Sequence, residues 1–332
     1  MKEVSLKEIQ TNLKGHSKMN FSFYDYILLK SLFLKLSILL VFLSFFSCSN
    51  QNFDNENTTQ SFNTENSDSI VGGQLATDTF QKQNGIVQLE LDMGFAGKAT
   101  CTGTLIDNDI ILTAAHCVAD PSLVRIKAIF GLSDIRNNKN IIIPVVSAII
   151  HPEFNPDIST DQSGWSDIAL LKLKTLAPKN INKVKLPSVV QKNLVKVDSL
   201  LTLAGYGITN AVIRKEVINS NGQTTIVNLP GKGAGVLRLV NNIKVLKLNE
   251  NLSEILLDQT KSVGACHGDS GGPAFLTMSD QSLIQVGLTS RGTEALGNCN
   301  KEAIYTNLEF HLKWILQGID KLHSPNRPIS AR

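Results

Sequence analysis

The ten residues from Gly264 to Pro273 constrain this chain most, because they set a single serine, Ser270, between an acid and a run of glycines. Glycine adopts backbone angles that other residues resist, and it lets a neighbouring chain approach the main chain closely. A nucleophilic serine needs an accessible hydroxyl and backbone N–H groups that face the oxygen on which negative charge develops. A surface turn that happens to hold a serine has the same composition, so the choice depends on whether the chain also supplies a base.

A candidate base and a candidate orienting acid lie upstream of the serine. His116 follows an apolar run and is surrounded by small residues that leave its ring free, and Asp167 opens another apolar run that would fix its position. An isolated histidine is more often structural, and an aspartate before a strand is often only a turn residue; Asp157 and Asp161 compete with Asp167 for the role. A histidine oriented by an acid is the arrangement that activates a serine hydroxyl.

Short apolar runs alternate with turn residues from Ile86 onward, which predicts an antiparallel β-sandwich or barrel. These runs are 86–91, 104–106, 110–113, 124–130, 141–150, 168–173, 201–204, 236–240, 243–248 and 283–289. The segment 210–234 predicts a long hairpin or loop. A terminal helix is predicted by four apolar residues that share one helical face, namely Leu308, Leu312, Ile315 and Ile319.

Composition narrows the classes of function. The chain has 332 residues, of which 42% are apolar, so a sizeable core is within reach. A net charge of +3 gives no reason to expect a nucleic-acid partner. The histidines and cysteines lack metal-ligand spacing, so neither a metal nor another cofactor is expected. Nothing points to an oligomer, and a monomer is the default.

The first 48 residues are read as a targeting segment. An apolar run of about a dozen residues after a basic flank is typical of a signal peptide, whereas a membrane span needs about 20. The residues from Ser44 to Cys48 resemble a bacterial lipobox, although Phe45 departs from the usual leucine. Three alternatives stay open: lipidation at Cys48, a fully removed secretory signal and a retained anchor. Translation could start at Met1 or Met19.

The polar segment 49–69 is too poor in apolar residues to fold alone, which predicts a disordered linker or propeptide. The folded domain then spans 70–322, and a polar tail covers 323–332. Export to a cell envelope or to the medium follows from the targeting segment. If Cys48 carries a lipid, the protein is attached to a membrane.

Four segments together resemble the trypsin/chymotrypsin family of serine endopeptidases. They are the Ile-Val-Gly-Gly sequence at Ile70–Gly73 and the blocks around His116, Asp167 and Ser270, in the family's chain order. The resemblance covers about 70–319. It implies two six-stranded antiparallel β-barrels with the active site between them and a C-terminal α-helix. It also implies hydrolysis of protein or peptide substrates through a Ser-His-Asp triad.

The resemblance assigns roles to individual residues. Ser270 resembles the nucleophile, His116 the general base and acid, and Asp167 the group that orients the imidazole. The N–H groups of Gly268 and Ser270 resemble the oxyanion hole. Loss of one such donor costs about 3 kcal/mol of transition-state stabilisation.

The family's activation switch also has counterparts here. In the family, a new N-terminal ammonium at the position of Ile70 pairs with the aspartate at the position of Asp269. Ser69 stands before Ile70, where many family zymogens carry arginine or lysine. Activation therefore calls for another protease, or for a different cut followed by trimming.

The family pairs the cysteines that match Cys101 with Cys117 and Cys266 with Cys299. Each bridge would contribute roughly 3–4 kcal/mol, and both require an oxidising compartment. The fifth cysteine, Cys48, is left over, which agrees with lipidation.

Alignment to the serine block puts Gly264 at the base of the specificity pocket, where trypsin-like members have aspartate. Gly292 and Ala303 match the pocket walls, so the pocket is expected to be neutral and to accept small or medium apolar side chains. Arg291 stands where the family often has tryptophan; it is either a solvated charge or a group that favours acidic residues in the substrate. A catalytically silent, protease-like binding or adhesion protein at the cell surface is the alternative function.

Overall fold

The computed structural model describes residues 4–5, 70–131, 139–155, 166–219, 221–249, 251–294 and 296–324. Several features of the sequence interpretation lie outside these ranges: the targeting segment apart from residues 4–5, with Cys48; the segment 49–69; the competitors Asp157 and Asp161; and the polar tail from residue 325 onward. Among the described residues, no helix is both long enough and apolar enough to cross a membrane.

Three short elements precede the main strands. Strand β1 is Val4–Ser5, β2 is Gln74–Leu75 and helix α1 is Asp78–Gln83. The helix begins after Thr77, whose hydroxyl accepts a hydrogen bond from the Phe80 N–H at 3.1 Å. This side chain satisfies one of the N–H groups that a helix leaves unpaired at its start.

Six antiparallel strands form the first barrel. They are β3 (Ile86–Asp92), β4 (Lys98–Asp107), β5 (Ile110–Thr113), β6 (Arg125–Phe130), β7 (Ile141–Ile150) and β8 (Ala169–Leu173). Their order is β7-β6-β3-β4-β5-β8, and pairing of β7 with β8 closes the barrel. Alternate residues such as Val87, Leu89 and Leu91 point into its core.

Six further strands form the second barrel, with a hairpin between its first two strands. The hairpin is β10 (Arg214–Ile218) with β11 (Thr224–Asn228), and the barrel strands are β9 (Leu200–Gly205), β12 (Arg238–Leu248), β13 (Glu254–Asp258), β14 (Pro273–Thr277), β15 (Leu283–Gly292) and β16 (Glu302–Asn307). Their order is β13-β16-β15-β14-β9-β12, and β12 pairs with β13 to close the barrel. Leu203, Val245 and Leu257 lie in its core.

Helix α2 (Leu308–His323) ends the folded domain and packs between the barrels. Its buried Leu308, Trp314 and Ile315 share one apolar cluster with residues of both barrels, including Leu170 and Leu288. The helix therefore contributes apolar contacts to both barrels.

The two barrels, the terminal helix and the 210–234 hairpin are confirmed. Three barrel strands were not predicted, namely Glu254–Asp258, Pro273–Thr277 and Glu302–Asn307, and the predicted runs 236–240 and 243–248 fall in the single strand β12. Each of the three unpredicted strands begins with a glutamate or a proline, residues that disfavour strands. Pairing with strands distant in sequence stabilises each of them. Tertiary pairing outweighs local preference here.

Candidate functional site

His116 and Asp167 meet because two neighbouring strands of the first barrel end together. Thr113, the last residue of β5, pairs with Ala169, the first residue of β8. His116 lies three residues beyond the first strand, in a 3₁₀ turn, and Asp167 lies two residues before the second. The His116 Nδ1 is 2.7 Å from Asp167 Oδ2, and the His116 backbone N–H donates to Asp167 Oδ1 at 2.9 Å.

The contact changes the proton affinity of both groups. Burial by itself lowers the pKa of His116, but the negative charge of Asp167 and its hydrogen bond outweigh burial and raise the pKa above its usual range. Burial by itself raises the pKa of Asp167, and His116 and Ser290 bring it below its usual range. The carboxylate therefore stays ionised and holds a proton on His116 Nδ1, which leaves Nε2 to accept one.

Ser290 completes the surroundings of the carboxylate and was missed by the sequence analysis. Its hydroxyl donates to Asp167 Oδ2 at 2.7 Å, and the residue is buried in β15. The Thr306 hydroxyl donates to the backbone carbonyl of Asp167 at 3.0 Å. The strand holds several other polar residues, so Ser290 carried no distinctive signal, and its partner lies 123 residues away.

Ser270 belongs to the second barrel and is held against the first by Thr102 of β4. The Thr102 N–H donates to the Ser270 carbonyl at 2.8 Å, and the Thr102 hydroxyl donates to the Gly268 carbonyl at 3.0 Å. Ser270 and His116 line the same cleft. Among the hydrogen bonds of the described residues, none joins the Ser270 hydroxyl to His116, and such contacts often tighten only when substrate binds.

The loop before Ser270 leaves two backbone donors available. In the described part of the chain, neither the Gly268 N–H nor the Ser270 N–H donates to another group, whereas the Asp269 N–H donates to the Cys266 carbonyl at 3.0 Å. Gly268 has φ of +97°, and a Cβ there would lie 2.8 Å from the Gly207 Cα. The turn that exposes these donors therefore requires glycine at 268.

Ile70 and Asp269 are both fully buried. Asp269 accepts hydrogen bonds from the Gly207 N–H at 2.7 Å and the Cys266 N–H at 2.8 Å. No cation among the described residues pairs with it, and burial raises the pKa of Asp269 to about 7. Next to Ile70, the Val71 carbonyl accepts from the Gly264 N–H at 2.9 Å, so the start of the domain is attached to the serine loop.

The cleft beside Ser270 has a volume of about 480 Å³. Gly292 and Ala303 line it, as the sequence analysis expected. Gly264 does not line it. The side chain of Gln259, which the sequence analysis did not consider, covers Gly264 and faces the cleft instead.

Arg291 is buried, and its Nη1 lies 2.9 Å from Glu254 Oε1. The interpretation of Arg291 as a solvated charge is therefore wrong. An adjacent carboxylate already balances its charge, which weakens the alternative that it favours acidic substrate residues. The pairing was hidden from the sequence because the partners are 37 residues apart.

Both expected disulfides are present, Cys101–Cys117 and Cys266–Cys299. The first joins β4 to the turn that carries His116. The second joins the serine loop to the cleft wall. His116 and His267 each lie close to one of these pairs, but the sulfur atoms are bonded to each other and not available as thiolate ligands for a metal.

Comparison with known proteins agrees with the fold and the order of the motifs. The trypsin family model matches residues 70–315. The chain is 27% identical over 252 residues to vitamin K-dependent protein C of Rattus norvegicus, covering 74% of this chain and 51% of that protein. It is 28% identical over 253 residues to a collagenase of Hypoderma lineatum, covering 75% of this chain and 86% of that protein.

The solved structure of HL collagenase has a TM-score of 0.57 and 24% identity, and the match covers 76% of this chain and 99% of that one. This likeness establishes the fold. The chain spans about half the length of several curated relatives that it matches, including the two mammalian protein C sequences from rat and mouse. The family model covers about three quarters of the chain, from its Ile-Val-Gly-Gly segment through the serine block to the terminal helix, and the chain therefore belongs to the trypsin family.

Proposed function

We propose that the chain is an exported serine endopeptidase that hydrolyses peptide bonds through Ser270, His116 and Asp167. The observation that carries the proposal is the 2.7 Å contact between His116 Nδ1 and buried Asp167 Oδ2, on the cleft that Ser270 also lines. The contact orients the ring and leaves Nε2 as the proton acceptor. Family membership supports the same reaction class.

In the proposed reaction, Ser270 Oγ bonds to the carbonyl carbon of the substrate while His116 Nε2 takes the hydroxyl proton. The Gly268 and Ser270 N–H groups donate to the carbonyl oxygen as it becomes negative. His116 then passes its proton to the leaving amine as the carbon–nitrogen bond breaks. Water attacks the resulting ester by the same proton transfers, which releases the acid and restores Ser270.

Activation by a cut before Ile70 is part of the proposal. Asp269 is a buried carboxylate without a cationic partner among the described residues. A buried charge that lacks its partner is strongly destabilising. An ammonium at Ile70 would supply the missing charge and stabilise the turn that carries the Gly268 N–H. Because Ser69 precedes the cut, the activating enzyme is expected to be a different protease or a trimming activity.

Labelling with a fluorophosphonate probe tests the nucleophile and the activation together. The chain cut before Ile70 should gain one adduct on Ser270 by intact mass, and the uncut chain should gain none. Ser270→Ala should abolish both the adduct and peptide cleavage, whereas the matched variant Ser188→Ala should retain both. Failure of the cut chain to be labelled would contradict the protease and favour a silent binding protein.

Attachment to a membrane through Cys48 is a separate proposal that rests on the sequence alone. Cys48→Ser should move the protein from the detergent phase to the aqueous phase in a partitioning experiment. Equal partitioning of the variant and the native chain would contradict lipidation.

A further inference from the structure

Gln259 is a buried side chain held in one orientation at the base of the cleft. It follows β13 and is 2% exposed. Its Oε1 accepts from the Ala265 N–H at 2.7 Å, and its Nε2 donates to the Ala265 carbonyl at 3.0 Å. Its backbone N–H donates to the Lys301 carbonyl at 3.0 Å. The two side-chain bonds fix the carboxamide against the serine loop, and the backbone bond attaches residue 259 to Lys301.

The carboxamide fills the space into which a side chain at position 264 would extend. A Cβ on Gly264 would lie 2.3 Å from Gln259 Oε1 and 2.4 Å from Gln259 Cδ. Gly264 also has φ of +145°, which side chains rarely adopt. Glycine at 264 does not leave an open pocket base, because Gln259 takes the place of the missing side chain.

The residues around this base are small or already hydrogen-bonded. Gly292 and Ala303 line the cleft with at most one side-chain carbon each, and the Thr289 hydroxyl donates to the Gly272 carbonyl at 3.1 Å. Three charged residues also line the cleft: Arg291, which pairs with Glu254, and Arg214 and Glu294. Arg214 is exposed and donates to the Leu296 carbonyl, and Glu294 accepts from the Asn298 N–H. The base itself therefore presents an uncharged amide to a substrate side chain.

We propose that Gln259 determines specificity by forming a neutral floor that shortens the pocket. The floor selects a short, uncharged side chain on the acyl side of the cleaved bond. It excludes lysine and arginine because the amide at the floor carries no charge to pair with them, and it excludes large aromatic side chains because the carboxamide occupies the necessary depth. This inference rests on the proposed peptidase activity and names its substrate class.

The test uses the full chain with residues 65–69 exchanged for an enteropeptidase recognition sequence, cut so that Ile70 becomes the N-terminus. Peptides that differ only in the residue before the cleaved bond (Ala, Leu, Phe or Lys) are compared by kcat/KM. The native chain should prefer Ala and Leu. Gln259→Ala should raise the Phe-to-Ala ratio of kcat/KM at least about 10-fold, the size of effect that one or two methylenes have in an apolar pocket.

Two further variants distinguish an effect of the Gln259 side chain on the pocket from a general effect on folding. Gln259→Met keeps the volume without the hydrogen bonds and should retain the native preference. Gln81→Ala removes another buried glutamine, one that donates to the Ile86 carbonyl outside the cleft, and should leave the ratio unchanged. Titration of active sites with the fluorophosphonate normalises every rate.

An unchanged Phe-to-Ala ratio in Gln259→Ala at full active-site titre would overturn the inference, as would a native preference for Phe or Lys. If Gln259→Ala has no active sites that the fluorophosphonate labels, Gln259→Asn tests the inference instead. Its shorter side chain should change the Phe-to-Ala ratio in the same direction. A native cut chain that neither hydrolyses peptides nor takes up the probe would overturn the proposed function itself. The two failures are therefore distinguishable.

Discussion

Arg291 and Glu254 form a buried ion pair beside the His116–Asp167 contact, with 2.9 Å between Nη1 and Oε1. Arg291 Nη1 also donates to the Ser290 hydroxyl at 3.4 Å, and that hydroxyl donates to Asp167 at 2.7 Å. Ser290 thus links the ion pair to Asp167, the proposed orienting acid. The positive charge of Arg291 lowers the pKa of His116, against the larger opposing effect of Asp167.

Removal of the ion pair should move the pH profile of catalysis. In Arg291→Met/Glu254→Gln, His116 loses a nearby positive charge, so its pKa should rise. A general base must be neutral, and the acidic limb of log kcat/KM against pH should therefore move to higher pH. Arg291→Met alone removes the positive member of a buried ion pair and should cost about 3–5 kcal/mol of stability.

The matched control is the exposed pair of Arg125 with Asp92. Arg125→Met/Asp92→Asn should leave the acidic limb in place and change stability little, because water screens an exposed pair. A double variant at Arg291 and Glu254 with a native acidic limb would show that the pair does not influence His116.

Asp167→Asn should lower kcat about 10⁴-fold, by analogy with the family's triad, because an amide favours the wrong tautomer of His116. Stopped-flow or steady-state peptide hydrolysis measures the loss, and the free energy of unfolding checks that the fold persists. Asp157→Asn, at the competing acid, should keep native activity. The reverse pattern would assign the orienting role to Asp157.

His311 should make the folded domain less stable in acid. It is 2% exposed, its Nε2 has no hydrogen-bond partner among the described residues, and its ring centroid lies 5.0 Å from that of His151. Burial, and to a lesser degree the charge of His151, lower the pKa of His311 to about 3, from 6.5 when unfolded. The unfolded chain binds a proton that the folded chain rejects, so stability falls as pH drops from 6.5 towards 3.

The slope from this one group is at most about 1.4 kcal/mol per pH unit. Urea unfolding of His311→Phe should show a smaller loss of stability between pH 6 and pH 4 than the native chain. Leu316→Ala, at an exposed residue of the same helix that does not titrate, should retain the native slope. Parallel curves for His311→Phe and the native chain would contradict the assignment.

Cutting before Ile70 should change the contribution of Asp269 to stability. In the uncut chain, burial raises the pKa of Asp269 to about 7, above its usual 3.8. The folded state then binds a proton that the unfolded state releases, so the stability from Asp269 is present below pH 3.8 and is lost as pH rises to about 7. Pairing with an ammonium at Ile70 should lower this pKa and remove the loss.

The measurement is the difference in unfolding free energy between the native chain and Asp269→Asn from pH 4 to pH 8, for cut and uncut forms. A difference is required because His311 contributes the opposite slope over much of the same range. Identical pH dependence in the cut and uncut forms would argue against the Ile70–Asp269 pair.

Local sequence was sufficient for the features that depend on neighbours along the chain. Alternation of apolar residues indicated the strands, the spacing of Leu308, Leu312 and Ile315 indicated the terminal helix, and the glycines around Ser270 indicated a candidate nucleophile. The resemblance to a family then supplied the two barrels, the disulfide pairing and the candidate triad. These features can be predicted from a single sequence because short motifs encode them.

Tertiary structure decided the features that depend on contacts between distant segments. Ser290 reaches Asp167 across 123 residues, Glu254 neutralises Arg291 across 37, and Gln259 fills the space beside Gly264. Burial, charge pairing and steric fit are properties of three-dimensional surroundings, and no local pattern records them. Short motifs therefore establish the class of fold and the chemistry to be expected at Ser270, whereas the packing of the second barrel sets the shape and charge of the pocket beside it.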